Sequence, residues 1–211
     1  MFDQEEQERI DNLKSWWGQY GNMVLLGVTV FLAAIAGMQG WRYYQSSQRT
    51  QAAALYDALE NAAQANDVKK TRDAATAIMD QYPATAYAVN AALLSARANY
   101  ETGDAKSAKA QLLWVVEHAS EGPSRQIARV RLAGLWLDEK NYAEALKLLE
   151  SAHDAAFDAM YADLKGDVLA AQGKLAEARA AYKDAIAKAD PKSIAYRNYV
   201  QVKLDALGDA K

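Results

Sequence analysis

A long apolar stretch without charged residues lies near the N-terminus of the sequence. Charged residues are absent from positions 15–41, and Thr29 is the single polar side chain within positions 23–38. A helix from residue 23 to residue 41 would be about 28 Å long, close to the ~30 Å hydrocarbon core of a bilayer. Aromatic residues flank both ends, as is typical of membrane interfaces; they are Trp16, Trp17, Tyr20, Trp41, Tyr43 and Tyr44. The pattern predicts a transmembrane helix over residues 22–44.

Two other interpretations of this stretch are a buried core helix and a cleaved signal peptide. Aromatic residues at both ends favour a membrane helix over a core helix. Ala34, Ile35 and Ala36 form a small-x-small cleavage pattern, but signal peptides begin with basic residues and have shorter apolar runs. Residues 1–21 are instead predominantly acidic. We therefore expect them to form a short acidic tail in front of the anchor.

The charges beside the span do not decide its orientation. Arg9 and Lys14 precede the span, and Arg42 and Arg49 follow it. Acidic residues count little in the positive-inside rule, so the two sides are nearly balanced. A short tail before a long C-terminal part is nevertheless typical of an anchor that sends the C-terminal part across the membrane.

Small residues recur within the span at helical spacing. Ala33 and Gly37 form one small-xxx-small pair, and Ala36 and Gly40 form another. Such pairs let a second transmembrane helix approach closely, although Ala and Gly are common in membrane helices in general. We predict these four residues as a packing face within the membrane.

Beyond the span, amphipathic segments alternate with short polar turns at a regular interval. The turns contain Gly103, Lys140 and Gly173, which are 37 and 33 residues apart. Five residues after each turn residue stands an alanine, and four residues later a large apolar or aromatic side chain. The pattern of helix, turn and helix with a period near 34 resembles the tetratricopeptide repeat.

The three units match this repeat to different degrees. The third matches best, with Gly166, Ala178, Tyr182 and Pro191 at typical positions. The second lacks a glycine at its turn, and the first has Ser95 and Asn99 where large apolar residues are expected. We divide residues 45–211 into a divergent pair (50–82), repeats at about 89–122, 126–157 and 159–191, and a capping helix (193–207).

Composition agrees with an all-helical chain. Only 11 Gly and 3 Pro occur in 211 residues, which is few for a loop-rich β fold. The absence of Cys excludes disulfides and thiolate metal sites. A net charge of -3 argues against a nucleic-acid platform. The predicted fold class is all-α: a single N-terminal transmembrane helix followed by a short solenoid resembling tetratricopeptide repeats.

No residue set indicates catalysis, a metal or a cofactor. His118 and His153 have no acidic partners at the spacing of metal ligands. Asp163 and Asp167 lie one helical turn apart, but such pairs more often solvate a helix face than perform acid–base chemistry. We predict a protein that is not an enzyme and holds no cofactor.

Binding is the better prediction, with the first helix of each pair lining a concave face. The expected positions are mostly apolar and lack the basic set with which some tetratricopeptide repeats hold a C-terminal carboxylate. A helix or an extended apolar segment is a more natural guest; alternatively, many of these residues only pack between repeats. The predicted positions are Asn90, Leu93, Arg97, Tyr100, Ile127, Val130, Met160, Asp163 and Asp167, with Gly134, Leu137 and Ala170 on the same template.

The chain as a whole resembles the YfgM-like ancillary subunits of the bacterial SecYEG translocon. The resemblance is carried by Trp16 and Trp17, WRYYQ from Trp41, QAAALYDAL from Gln51, and YADLKGDVLAAQGKLAEARAAY from Tyr161. It implies a single-pass protein of the bacterial inner membrane, with the tail in the cytoplasm and the repeat domain in the periplasm. The implied partners are Sec translocon subunits, a membrane-anchored periplasmic chaperone of the prolyl-isomerase type and exported client proteins.

The resemblance implies a non-enzymatic, membrane-tethered adaptor that helps to hand exported proteins to periplasmic chaperones. The alternative is a structural scaffold subunit of another envelope assembly complex, without client handling. The resemblance does not identify contact residues with either kind of partner.

Overall fold

The computed structural model describes residues 2–120 and 122–208, with side chains from residue 9 onward. The acidic side chains predicted for positions 3–8 therefore lie outside the described part. The chain divides into two compact units, Met1–Thr50 and Gln51–Lys211. The described part of the first unit lies entirely within helix α1, Phe2–Gln64. Within α1 the apolar stretch is long enough to cross a membrane. Only 6% of its most apolar 18-residue segment is buried, whereas the core helix of a soluble protein would be mostly buried.

Across the described ranges, nine α-helices and one short 3₁₀ turn follow in sequence, which confirms the all-α prediction. After α1, the helices pair in the order in which they occur, each packing on the next. They are α2 (Val68–Gln81), α3 (Ala86–Glu101), α4 (Ala105–His118), α5 (Pro123–Asp138), α6 (Tyr142–Leu149), α7 (Asp158–Ala171), α8 (Leu175–Lys188) and α9 (Ile194–Ala206), with the 3₁₀ turn at Ala155–Phe157 before α7.

The core of the second unit is a series of apolar clusters, each shared by three consecutive helices. One joins the end of α1 to α2 and α3, the next α3 to α5, the next α5 to α7, and the last α7 to α9. Ala108, Ala145 and Ala178 are fully buried in this series. Their small side chains allow the second helix of each pair to pack closely on the first.

A polar network replaces apolar packing in the first repeat. Gln111 of α4 donates from Nε2 to Ser95 Oγ at 2.7 Å and accepts from Asn99 Nδ2 at 2.9 Å. All three side chains are buried. These hydrogen bonds offset part of the cost of placing Ser95 and Asn99 at positions that are apolar in a typical repeat, although the buried Asn99 Oδ1 has no partner among the described residues.

The turn within each repeat requires a left-handed residue. Gly103 and Gly173 have φ of 83° and 77°, and Lys140 adopts φ of 59° at the same place. Glycine takes this conformation without steric cost, whereas a residue with a Cβ is strained. The middle repeat therefore keeps the turn geometry without the glycine.

We expect replacement of Lys140 by glycine to raise the free energy of unfolding by up to about 1 kcal/mol, because the left-handed strain is removed. Urea unfolding of the full chain in detergent, followed by far-UV circular dichroism, measures the change. The matched control is Gly173→Ala, which introduces the same strain into the third repeat and should destabilise by a similar amount. A loss of stability in Lys140→Gly would contradict the prediction.

Candidate functional site

A groove of about 530 Å³ runs across the first helices of the three repeats, α3, α5 and α7. These helices contact one another directly, α3 with α5 and α5 with α7. The groove is lined by Ala96, Arg97, Tyr100, Ala108, Leu112, Arg131, Gly134, Leu135, Leu137, Asp138, Leu164 and Asp167.

The groove has an apolar floor and a charged rim. Leu112 and Leu135 are buried beneath it. On the rim, Arg97 Nε donates to Glu101 Oε1 at 2.7 Å. The Tyr100 hydroxyl donates to Asp138 Oδ2 at 3.2 Å, while its ring stays 52% exposed. That hydrogen bond, reinforced by the Asp138 charge, raises the pKa of Tyr100, so the hydroxyl stays protonated.

The capping helix α9 is joined to α7 by a lysine that pairs with two carboxylates, one of which, Asp167, lines the groove. Lys203 Nζ of α9 lies 2.9 Å from Asp163 Oδ1 and 2.8 Å from Asp167 Oδ2. The Tyr182 hydroxyl donates to the other oxygen of Asp167 at 2.8 Å. The Lys203 ammonium also lies 4.6 Å from the centre of the Tyr199 ring, a cation–π distance.

Burial and charge act against each other in this cluster. Burial disfavours the Lys203 ammonium, but hydrogen bonds and charges from Asp167 and Asp163 outweigh it and raise the pKa of Lys203. Burial is the main cause that raises the pKa of Asp163, and the neighbouring Asp167 charge adds to it. The two carboxylates therefore share one cation from the capping helix, which opposes the effect of burial on Asp163.

The structure brings some of the predicted binding residues together and separates others. Arg97, Tyr100 and Asp167 line the groove, as do Gly134 and Leu137. Leu93 and Val130 are partly buried and pack against the apolar clusters. The other predicted residues do not line the groove. Asn90 and Met160 are exposed outside it, Ile127 and Ala170 are half-buried, and Asp163 pairs with Lys203.

Two charged groove residues on α5, and a lysine that pairs with the groove residue Asp167, escaped the sequence prediction. Arg131 and Asp138 lie one position beyond the predicted Val130 and Leu137, so a wider stripe along α5 would have included them. Lys203 gave no local signal, because its partners on α7 are 36 and 40 residues away.

The predicted membrane packing face lies on the first unit. Ala33, Ala36, Gly37 and Gly40 are all exposed there. A Cβ added at Gly37 or Gly40 would meet no atom within 4 Å. The face is thus open to a partner helix, and its use remains a prediction.

Comparisons with known proteins extend over nearly the whole chain. The family described as tetratricopeptide repeat-like domain matches residues 14–209. An ancillary SecYEG translocon subunit of Neisseria gonorrhoeae is 30% identical over 207 residues, covering 96% of this chain and 97% of that protein. The protein of the same name from Haemophilus influenzae is 30% identical, and the match covers 86% of this chain and 88% of that protein. The Escherichia coli protein of that name is 25% identical, and the match covers 85% of this chain and 86% of that protein. With this coverage and an all-helical repeat architecture, the chain belongs to the tetratricopeptide repeat-like family of ancillary SecYEG translocon subunits.

Proposed function

We propose that this protein is a non-enzymatic, membrane-anchored adaptor that associates with the Sec translocon. The observation that carries the proposal is the similarity to ancillary SecYEG translocon subunits over almost the full length of both chains. The apolar part of α1 is the membrane anchor. The tail lies in the cytoplasm and the repeat domain in the periplasm of the bacterial inner membrane.

The groove across α3, α5 and α7 receives segments of exported proteins. Its apolar floor and the exposed Tyr100 ring suit transient binding of an apolar polypeptide segment. Because the anchor holds the groove beside the translocon, its effective concentration near emerging chains is high. The adaptor then passes its clients to periplasmic chaperones, among them a membrane-anchored one of the prolyl-isomerase type.

The orientation can be tested with single cysteines, because the natural chain has none. Ser15 and Ser120 are exposed and lie on opposite sides of the proposed span. In intact cells, a membrane-impermeant maleimide should label Ser120→Cys once the outer membrane is permeabilised, and Ser15→Cys only after lysis. Labelling of Ser15→Cys in intact cells would contradict the orientation.

Client binding can be tested by crosslinking in cells. A photoreactive phenylalanine analogue at Tyr100 should crosslink to translocating precursor proteins, since this ring is exposed in the groove. The matched control is Leu113, which is also exposed and lies on α4 outside the groove lining. Met160, exposed on α7 outside the groove, tests whether clients reach beyond it.

The same experiment separates the adaptor from a structural scaffold. A scaffold would give crosslinks to the same fixed subunits whether or not protein export is active, and no precursor adducts at Tyr100. Affinity purification in mild detergent provides the second measurement. Absence of translocon subunits from the purified material would refute the proposed association.

A further inference from the structure

Gly134 is a glycine in a helix interior that the packing of the described chain does not require. It lies within α5 and lines the groove. A Cβ built on it would meet no heavy atom within 4 Å. Glycine in a helix interior is destabilising relative to alanine. The fold therefore carries a cost at this position without a compensating contact inside the described chain.

Gly134 also differs from its equivalents in the neighbouring repeats. Arg97, Gly134 and Asp167 each lie six residues before a left-handed turn residue, at 103, 140 and 173, and all three line the groove. Arg97 is paired with Glu101, and Asp167 is paired with Lys203 and Tyr182. Of the charged residues that line the groove, Arg97 and Asp167 are thus already paired, and Asp138 accepts a hydrogen bond from the Tyr100 hydroxyl. Gly134 leaves an empty position between Arg97 and Asp167.

Arg131 supplies a charge beside this empty position. It lies on α5 one turn before Gly134, lines the groove and is exposed. Among the described residues it has no ion pair, whereas Arg97 on the same rim does. A guanidinium beside an apolar floor is well suited to hold a carboxylate in a two-pronged contact.

We propose that Gly134 and Arg131 set the specificity of the groove for an amphipathic helical segment with an acidic residue one turn from a bulky apolar one. The apolar side chain occupies the space above Gly134, and the acidic side chain pairs with Arg131. In a guest helix that lies along α5, residues one turn apart can face Arg131 and Gly134 at the same time. Because Gly134 has no Cβ, the guest helix can approach α5 closely at that point. This inference rests on the proposed function, because it names the class of polypeptide that the adaptor holds.

The test uses two synthetic helical peptides that bind to the full chain in detergent micelles, with fluorescence anisotropy as the measurement. One peptide carries Leu and Glu four residues apart, and the other has Lys in place of each Glu. We expect the Glu peptide to bind at least about tenfold more tightly, as for one well-placed charge contact. Equal affinity for the two peptides would overturn the proposal.

Two variants separate the roles of the two residues. Gly134→Leu fills the space above the helix and should weaken binding of the Glu peptide by about tenfold or more. Arg131→Glu should reverse the preference, so that the Lys peptide binds more tightly, a gain that misfolding cannot produce. The matched control is Lys183→Glu, an equal charge reversal on α8 outside the groove lining, which should leave the preference for the Glu peptide unchanged.

Co-purification with translocon subunits is measured on the same variants. If the subunits co-purify but neither peptide is preferred, the groove specificity is refuted and the proposed function stands. If the subunits do not co-purify, the proposed function is refuted. The affinities for the Glu and Lys peptides then still show whether the groove has the proposed specificity. Unchanged Glu-peptide binding in Gly134→Leu would remove Gly134 from the site.

Discussion

Replacement of Lys203 by methionine is expected to lower the free energy of unfolding of the repeat domain by about 2–3 kcal/mol. Lys203 is the cation within 3 Å of both Asp163 and Asp167, at 2.9 and 2.8 Å. The Asp163 and Lys203 side chains are only 13% and 19% exposed. Methionine keeps much of the length of the apolar stem but removes the charge, so the two carboxylates remain near each other without their shared cation, and only Asp167 keeps the hydrogen bond from Tyr182.

The expected loss is smaller than the 3–5 kcal/mol typical of breaking a fully buried ion pair, because Asp167 is still 27% exposed and water can reach it. Urea unfolding of the full chain in detergent, followed by far-UV circular dichroism, gives the difference. The matched control is Lys183→Met on α8, which is exposed and should change stability by less than about 0.5 kcal/mol.

A triple variant tests the electrostatic explanation. Lys203→Met combined with Asp163→Asn and Asp167→Asn removes all three charges, so most of the lost stability should return. The amide oxygen introduced by Asp167→Asn can still accept the hydrogen bond that Tyr182 donates to Asp167 in the natural chain. A Lys203→Met variant as stable as the natural protein, or a triple variant less stable than Lys203→Met, would refute the explanation.

Local pattern was enough to predict the helices and the repeat, because both depend on residues close in sequence. Apolar spacing and the turn residues predict the helical pairs around positions 103 and 173. In the middle repeat, the presence of glycine would not have predicted the turn, because Lys140 takes the left-handed conformation there. Helix packing on both sides of the turn therefore imposes a geometry that the turn residue alone does not favour.

The groove could be predicted only in part, because its boundaries depend on contacts between distant residues. Arg97 and Tyr100 line it as the repeat template predicts. Asp163 satisfies the same template, but a lysine 40 residues later pairs with it. Similarly, Ser95 and Asn99 depart from the apolar pattern of the repeat, but both form hydrogen bonds with Gln111 in the structure. Complementary polar partners of this kind have no fixed spacing, so a periodic pattern does not reveal them.

Alanine at position 166 is expected to destabilise the protein by about 2 kcal/mol, although alanine favours a helix more than glycine does. A Cβ on Gly166 would lie 2.5 Å from two carbons of the Tyr182 ring. That ring is 3% exposed, and its hydroxyl donates to Asp167 at 2.8 Å. The ring therefore has no space to retreat into, and α7 and α8 must separate or the hydrogen bond must break.

The same substitution at Gly134 is the matched control, because both glycines lie inside first helices of adjacent repeats. A methyl group there meets nothing, so Gly134→Ala should raise the free energy of unfolding by up to about 1 kcal/mol. Urea unfolding of the two variants should thus shift in opposite directions. Combining Gly166→Ala with Tyr182→Leu makes room for the methyl group, so the combined loss should be smaller than the sum of the two single losses. If Gly166→Ala and Gly134→Ala both raise stability, helix propensity outweighs the contact with Tyr182, and the close approach of α7 to α8 is not what requires glycine at position 166.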